Sequence, residues 1–268
     1  MPHVDNNGVR LHWDEAGSGS PLLLVMGASY SSALWYPAIP DLSARHRVIW
    51  FDNRGTGDSE ATEVASISDM VSDAIAVLDA AGVEKAHVYG VSLGGVIVQQ
   101  LALEHPDRGL SLVLGCTGIL SASKPRAPKW LDVRFRLPAW GARALGRLVG
   151  RNGGYGPACP ADRIAADRAV LARETPDVTA LVAQSNALRA YSVEPEQIAT
   201  IDVPVLVIHG TSDGIVKHAW GVELAETLPH ARLVSYDGIG HNYLVGKGPE
   251  ANAEVLAHLA EVDALVLP

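Results

Sequence analysis

The sequence predicts an α/β fold built on a doubly wound, mostly parallel sheet. Short apolar runs, each ended by a turn signal, alternate along the chain with stretches of helical length. The runs are continuous, which is typical of strands buried on both faces of a parallel sheet. Regular alternation of strand and helix favours the doubly wound arrangement.

Each strand and helix is predicted from a local pattern. The buried strands are expected at 21–27, 46–52, 85–90, 110–115, 203–210 and 231–238. Residues 8–16, "GVRLHWDEA", alternate apolar and polar side chains, which predicts an antiparallel strand near the sheet edge. A helix is expected over 66–82, where apolar residues recur on one side and Gly82 ends the pattern.

The alternation of strand and helix stops between Gly118 and Pro195, where the sequence predicts no strand and Ala, Arg and Pro are frequent. We expect residues 118–195 to form a helical cap inserted after the sixth strand. Residues 1–117 and 196–268 would then form the core domain.

Residues 121–155 of this cap hold eight basic residues and one acidic residue, Asp132. The favoured interpretation is the solvated face of an amphipathic helix. The alternative is a basic collar that attracts an anionic substrate.

Composition limits the classes of function. Hydrophobic residues make up 48% of the chain and six residues are Trp, so a sizeable core is expected. A net charge of −9 argues against general nucleic-acid binding. No signal-peptide pattern begins the chain and no apolar run approaches the roughly 20 residues that span a bilayer, so no membrane partner is expected.

Cysteine usage bears on compartment and metals. Cys116 and Cys159 lack metal-type spacing, which favours a reduced, cytoplasmic protein with no bound metal. The sequence leaves the oligomeric state open, a homo-oligomer included.

Ser92 stands in the stretch Gly90-Val91-Ser92-Leu93-Gly94, which matches G-x-S-x-G. A strand, "AHVYG", precedes it and a helix, "LGGVIVQQLALEH", follows it, which is the context this motif requires. Side chains at 90 and 94 would collide in so sharp a turn, which explains the glycines. The turn lifts the hydroxyl to the positive end of the helix, so we predict a nucleophile here and not a helix-capping serine.

A serine nucleophile needs a base, and the base needs an orienting carboxylate. Among the ten histidines, His241 is the candidate base, because it follows a strand on a loop at the carboxyl edge of the sheet. Asp213, on the loop that ends the preceding strand, is the favoured acid. Its rivals are Asp202, which precedes its strand at the opposite edge, and Asp237, which also suits a turn.

An oxyanion hole requires two backbone N–H groups. One is expected from Leu93, the residue after the nucleophile. The other is expected from Ala28, on the loop after the strand "LLLV".

With these motifs in place, the whole chain resembles an α/β-hydrolase. The stretch "FDNRGTGDS", residues 51–59, resembles the loop these proteins carry after the fourth strand, and its Asp52, Arg54 and Ser59 are expected to be structural. Residues 21–118 resemble the branch of 3-oxoadipate enol-lactonases and carboxylesterases. Met26-Gly27 stands where most relatives have His-Gly.

The resemblance implies a cofactor-independent serine hydrolase acting on a small-molecule ester or lactone. Dehalogenases and epoxide hydrolases carry Asp at the nucleophile position, which Ser92 excludes. Trp130, Trp140 and Tyr191 of the cap are expected to line the pocket, although each also suits a packed core. Two alternatives stay open: carbon–carbon bond hydrolysis or perhydrolysis on the same triad, and a receptor-like ligand-binding protein that keeps the fold.

Overall fold

One sheet of eight strands runs through the part of the chain that the structure describes. The structure is a computed structural model, and it describes residues 2–62, 65–124, 154–174 and 177–266. The strands are β1 His3–Asn6, β2 Val9–Ala16, β3 Pro21–Val25, β4 Arg47–Phe51, β5 Ala86–Val91, β6 Gly109–Gly115, β7 Val205–Gly210 and β8 Ala231–Tyr236. Their order across the sheet is β1-β2-β4-β3-β5-β6-β7-β8.

The α-helices of the described residues are α1 Ile39–Leu42, α2 Ile67–Ala80, α3 Leu93–Glu104, α4 Ala161–Leu171, α5 Val178–Ala190, α6 Pro195–Ile198, α7 His218–Thr227 and α8 Tyr243–Val266, and a short 3-10 helix, Ser32–Trp35, precedes α1. The last of these is interrupted at Lys247, two residues before Pro249. None of them is both long and apolar enough to cross a lipid bilayer.

The predicted fold class is confirmed. All six predicted strands are present, and β3 to β8 pair in parallel. The expectation that all six are buried was wrong for β8, which is an edge strand with partly exposed residues along its length. The predicted antiparallel strand is β2, which pairs with both β1 and β4. The short edge strand β1 was not predicted, because its four residues carry no apolar run and are defined by pairing with β2.

Helix α2 shows how local sequence sets the element boundaries. Ser66 caps its first turn by accepting a hydrogen bond from the Asp69 backbone, and the Asp69 carboxylate accepts one from the Ser66 backbone. This reciprocal pair satisfies two donors that a helix start otherwise leaves unpaired. The helix ends before Gly82, which has a φ of 67°.

The core lies on both faces of the sheet because consecutive strand residues point to opposite sides. In β3, Leu23 packs with the apolar residues of α2 and α3, whereas Leu24 packs with Trp35 and residues of α8. Between β6 and β7 the described residues include helices α4, α5 and α6 and no strand. The division into a core domain and a 118–195 cap stays a prediction.

This topology decides where a site can form. The six strands β3 to β8 are parallel, so the loops that follow them lie at one edge of the sheet. The chain leaves β3 toward β4 on one side, and β5 lies on the other. Such a reversal point is where open α/β sheets form a ligand crevice.

Candidate active site

Ser92 occupies a strained turn between β5 and α3. Its φ of 55° and ψ of −117° lie in a region that residues other than glycine rarely adopt. A side chain on Gly90 would overlap the Gly94 backbone, and one on Gly94 would overlap the Val25 carbonyl. The glycines therefore allow the turn to pass close to α3 and β3.

The environment of Ser92 differs from that of a capping serine. Its side chain makes no hydrogen bond to the start of α3. It is partly exposed, whereas Val91 and Leu93 beside it are buried. Its backbone N–H donates to the Gly115 carbonyl at 2.8 Å, which ties the turn to the end of β6. The geometry favours a presented hydroxyl over a helix cap.

Asp213 lies on the loop after β7 and is held by four donors. Its Oδ1 accepts hydrogen bonds from the backbone N–H groups of Ile215 and Val216 at 2.8 and 2.9 Å. Its Oδ2 lies 2.7 Å from Nδ1 of His241 and 3.2 Å from Nε2 of His209. Burial alone would raise the pKa of this carboxyl, but the histidines and backbone donors outweigh burial and lower its pKa to about 2.

His241 follows β8 on a loop that crosses the end of β7. The Ser212 N–H donates to the Ile239 carbonyl at 2.9 Å, so the loops carrying Asp213 and His241 are joined directly. Gly210 allows this crossing, because a side chain there would overlap the Ile239 carbonyl. Burial opposes a charged imidazole, but contacts with Cys116 and the Asp213 carboxylate prevail and raise the pKa of His241.

The rival acids are engaged elsewhere. Asp202 is an exposed residue whose Oδ1 lies 3.0 Å from Nε2 of His230. Asp237 accepts a hydrogen bond from the Thr211 hydroxyl at 3.0 Å. The structure therefore brings Asp213, and neither rival, onto His241.

The loop after β3 lies beside Ser92. A Cβ on Gly27 would be 3.3 Å from the Ser92 Cβ and 3.9 Å from its Oγ, so the peptide joining Gly27 and Ala28 borders the nucleophile turn. Leu93 is the first residue of α3, and the N–H groups of a first helical turn have no partner within the helix. The loop that carries Ala28 therefore borders the Ser92 turn, and the role of the Ala28 and Leu93 N–H groups as the oxyanion hole stays a prediction.

Sequence reasoning missed two neighbours of this cluster. Cys116 directly follows β6 and has a φ of 39°, and its buried thiol contacts the His241 side chain and the Ser92 backbone. Burial raises the pKa of the Cys116 thiol. His209, at the end of β7, is fully buried, and its Nε2 contacts both Asp213 and the Val216 carbonyl. Their position at the carboxyl ends of strands was the available signal.

Cys116, Asp213 and His241 also offer a set of metal-ligating atoms. One ligand atom from each lies within 4.8 Å of the others. A direct hydrogen bond joins Nδ1 of His241 to Oδ2 of Asp213. We therefore assign His241 and Asp213 to an imidazole–carboxylate pair and not to a metal site.

The 51–59 loop has the structural character that was expected. The Asp52 carboxylate accepts hydrogen bonds from the Ser32 backbone and hydroxyl and from the Asp58 backbone. Arg54 forms a buried ion pair with Asp73, with its Nε 2.7 Å from Oδ2. The Ser59 hydroxyl donates to the Asp52 carbonyl.

Tyr191 does not join the candidate active site. Its hydroxyl donates to Oε1 of Gln100 at 2.7 Å, eight residues and about 12 Å along α3 from Ser92. Its side chain lines a surface cavity of about 660 Å³ between α2, α3 and the segment before β7. The sequence pattern could not reveal this placement, because Tyr191 packs on the part of α3 remote from the turn.

The other predicted pocket residues, Trp130 and Trp140, lie outside the described residues, as does most of the basic stretch. Of that stretch, Lys124 is described, and its Nζ pairs with Glu223 at 2.6 Å.

Comparison with known proteins agrees with the fold. A family model described as "alpha/beta hydrolase fold" matches residues 20–247. A protein of Azorhizobium caulinodans named "Putative carbamate hydrolase RutD" is 32% identical and covers 98% of this chain and 100% of its own. A pimeloyl-[acyl-carrier protein] methyl ester esterase of Aliivibrio salmonicida is 27% identical and covers 96% of this chain and 98% of its own.

A solved structure also matches this fold along nearly the whole chain. The enol-lactonase from Burkholderia xenovorans LB400 superposes with a TM-score of 0.84 at 26% identity, over 97% of this chain and 100% of its own. The family model spans most of the chain, and these relatives match along nearly its whole length. This chain therefore belongs to the α/β-hydrolase family, on its esterase- and lactonase-like branch.

Proposed function

We propose that this hydrolase cleaves a carboxylic ester or lactone through an acyl-enzyme on Ser92. The observation that carries the proposal is the meeting of a strained, partly exposed serine with a hydrogen-bonded His–Asp pair at one sheet edge. Cys116 contacts both Ser92 and His241, so the two halves of the triad are neighbours. The esterase and the enol-lactonase among the relatives support this class of substrate.

The proposed mechanism depends on which ring nitrogen of His241 is available to accept a proton. Nδ1 of His241 is committed to Asp213, so Nε2 is the nitrogen that accepts the Ser92 proton as the hydroxyl attacks the carbonyl carbon. Negative charge that develops on the carbonyl oxygen is stabilised by the N–H groups of Ala28 and Leu93. His241 then protonates the departing alcohol oxygen. Water attacks the acyl-enzyme by the same route and regenerates Ser92.

Asp213 stabilises the imidazolium that forms in each half of this cycle. The carboxylate remains ionised, because four hydrogen-bond contacts favour its charged form. Orientation of the imidazole and stabilisation of its charge are the two roles of a triad carboxylate.

A carbamate is the second candidate substrate. The observation that favours it is the name of the Azorhizobium caulinodans relative, whose match covers 98% of this chain. The same triad would form a carbamoyl-serine in place of an acyl-serine, with release of the alcohol, and water would then hydrolyse the carbamoyl-serine.

A substrate panel tests the proposal. It contains p-nitrophenyl esters of increasing chain length, lactones, an unsubstituted alkyl carbamate and a β-diketone, each with the wild-type protein and Ser92→Ala. Turnover of an ester or lactone that is lost in Ser92→Ala supports the proposal. Faster turnover of the carbamate would overturn the proposal in favour of carbamate hydrolysis, and faster turnover of the β-diketone would overturn it in favour of carbon–carbon bond hydrolysis. Very slow turnover with tight ligand retention indicates a receptor-like protein.

A further inference from the structure

Gln184 is a buried polar residue that the proposed mechanism leaves without a role. It lies on α5, in the segment inserted between β6 and β7, and it is 1% exposed. A buried amide must be hydrogen-bonded at both ends to avoid a desolvation penalty. Both of its partners lie in core loops, more than 100 residues away along the chain.

One end of Gln184 binds the loop after β3, residues 26–31, which carries Ala28 and is called the oxyanion loop. Its Oε1 accepts a hydrogen bond from the Ser29 backbone N–H at 2.9 Å. Ser29 has a φ of 77°, a left-handed conformation that persists in a non-glycine residue only when its surroundings enforce it. Ser29 directly follows Ala28, whose N–H is the proposed oxyanion donor.

The other end of Gln184 binds the 51–59 loop. Its Nε2 donates to the Arg54 carbonyl at 3.1 Å. The neighbouring Asn53 donates from Nδ2 to the Met26 carbonyl at 2.8 Å. The chain of contacts therefore returns to the oxyanion loop on the other side of Ala28.

Ala28 is thus held from both flanks. Asn53 fixes the peptide that follows Met26, and Gln184 fixes the peptide that follows Ala28. The anchor of this network is rigid, because Arg54 is locked by its buried ion pair with Asp73. The direction of the Ala28 N–H depends on the two peptides that flank it.

Helix α5 reaches this position through direct packing on the 51–59 loop. A side chain on Gly55, which has a φ of 78°, would overlap Ala180 of α5. The inserted segment also contacts the oxyanion loop directly, since Glu174 accepts hydrogen bonds from the Ser31 N–H at 3.0 Å and the Ser31 hydroxyl at 2.9 Å. The inserted segment thus contacts the oxyanion loop at two sites.

From this geometry we infer that Gln184 is a positioning residue for the oxyanion hole. Through Gln184, the rate of hydrolysis depends on the packing of α5 against the oxyanion loop and the 51–59 loop. The inference rests on the proposed function, because it requires Ala28 to bind the oxyanion. Gln184 acts through Ser29 and touches no reacting atom. Its loss should weaken stabilisation of the transition state and leave binding of the ground state largely intact.

The test compares Gln184→Met with Asn252→Leu. Methionine matches glutamine in length but makes neither hydrogen bond. Asn252 is a suitable control because it is also a buried amide, 1% exposed. It lies on α8, away from the triad, and its Nδ2 links this helix to another element by donating to the Pro37 carbonyl. The readouts are kcat and KM for a p-nitrophenyl ester, and the inhibition constant of an alkyl trifluoromethyl ketone, whose serine adduct carries an oxyanion.

For Gln184→Met we expect kcat to fall by about 10–100-fold, within the cost of misplacing or losing one oxyanion donor, with KM nearly unchanged. Affinity for the trifluoromethyl ketone should fall in parallel with kcat/KM. Asn252→Leu should lose stability without either effect. If Gln184→Met does not fold, Gln184→Asn takes its place, since a side chain one methylene shorter cannot span Ser29 and Arg54.

The outcomes separate this inference from the proposed function. Wild-type protein that neither hydrolyses esters nor binds the ketone would overturn the proposed function itself. Active wild-type protein, with kcat and ketone affinity in the Gln184 variants equal to those of Asn252→Leu, would overturn the positioning role alone.

Discussion

His241 and Asp213 are 28 residues apart in sequence, and Nδ1 of the histidine lies 2.7 Å from Oδ2 of the aspartate. The aspartate side chain is fully buried and the histidine side chain is 11% exposed. A hydrogen bond between such groups fixes both the tautomer and the orientation of the imidazole. The contact therefore predicts that Asp213, and not Asp237, is the acid that supports His241 in catalysis.

Asp213→Asn should reduce kcat by roughly 10³–10⁴-fold, because an amide holds the imidazole in the wrong tautomer. Asp237→Asn is the matched control and should change kcat little, since Asp237 bonds to the Thr211 hydroxyl and not to His241. Steady-state kinetics on an aryl ester measure both variants. The reverse ranking would mean that Asp237 is the functional acid.

The pH dependence of activity should reflect the raised pKa of His241. The imidazole accepts the Ser92 proton only when neutral, so kcat/KM is low below the pKa of His241 and rises as the pH passes it. The pKa of His241 is raised well above its ordinary 6.5, so the acid limb of the profile should lie above pH 6.5. In Asp213→Asn the residual activity should show this limb at lower pH, because the carboxylate no longer favours the imidazolium. An acid limb that does not move in this variant would contradict the assignment.

Ser92→Ala should fold normally and lose activity by several orders of magnitude, because only binding and the oxyanion hole would remain. Ser68→Ala provides a control at an exposed serine of α2, whose hydroxyl bonds to Glu104. Turnover of the most active panel ester, with circular dichroism as the check on folding, measures the effect. A Ser92→Ala protein that kept a tenth of the wild-type rate would exclude Ser92 as the nucleophile.

Arg54→Met should destabilise the fold strongly. The change leaves the Asp73 carboxylate, which is fully buried, without its cation, and breaking a buried pair in this way costs about 3–5 kcal/mol. The exposed pair of Arg232 and Glu254 offers the comparison, and Arg232→Ala should cost under about 1 kcal/mol. Urea unfolding at neutral pH gives both free energies. Equal losses in the two variants would show that the buried pair contributes no more than a surface pair.

The sequence alone predicted the six parallel strands, the antiparallel strand β2 and the helices α2 and α3. Mostly apolar runs mark β3 to β7 because both faces of these strands are covered, and apolar side chains are favoured where a strand is buried on both faces. The turn at Ser92 was also readable, because its flanking glycines are required by local sterics. His241 and Asp213 were recognisable as residues that follow strands, which a parallel sheet brings to one edge.

Tertiary structure decided everything that depends on contacts between distant loops. Only the crossing of the β7 and β8 loops selects Asp213 over Asp237, and only the packing of α5 shows that Gln184 reaches Ser29. The same packing moves Tyr191 onto Gln100 and away from Ser92. Local periodicity reports which face of an element is apolar, but it carries no information about which partner covers that face. Hydrogen bonds across 28 to 155 residues are set by the sheet order and by the directions of individual side chains.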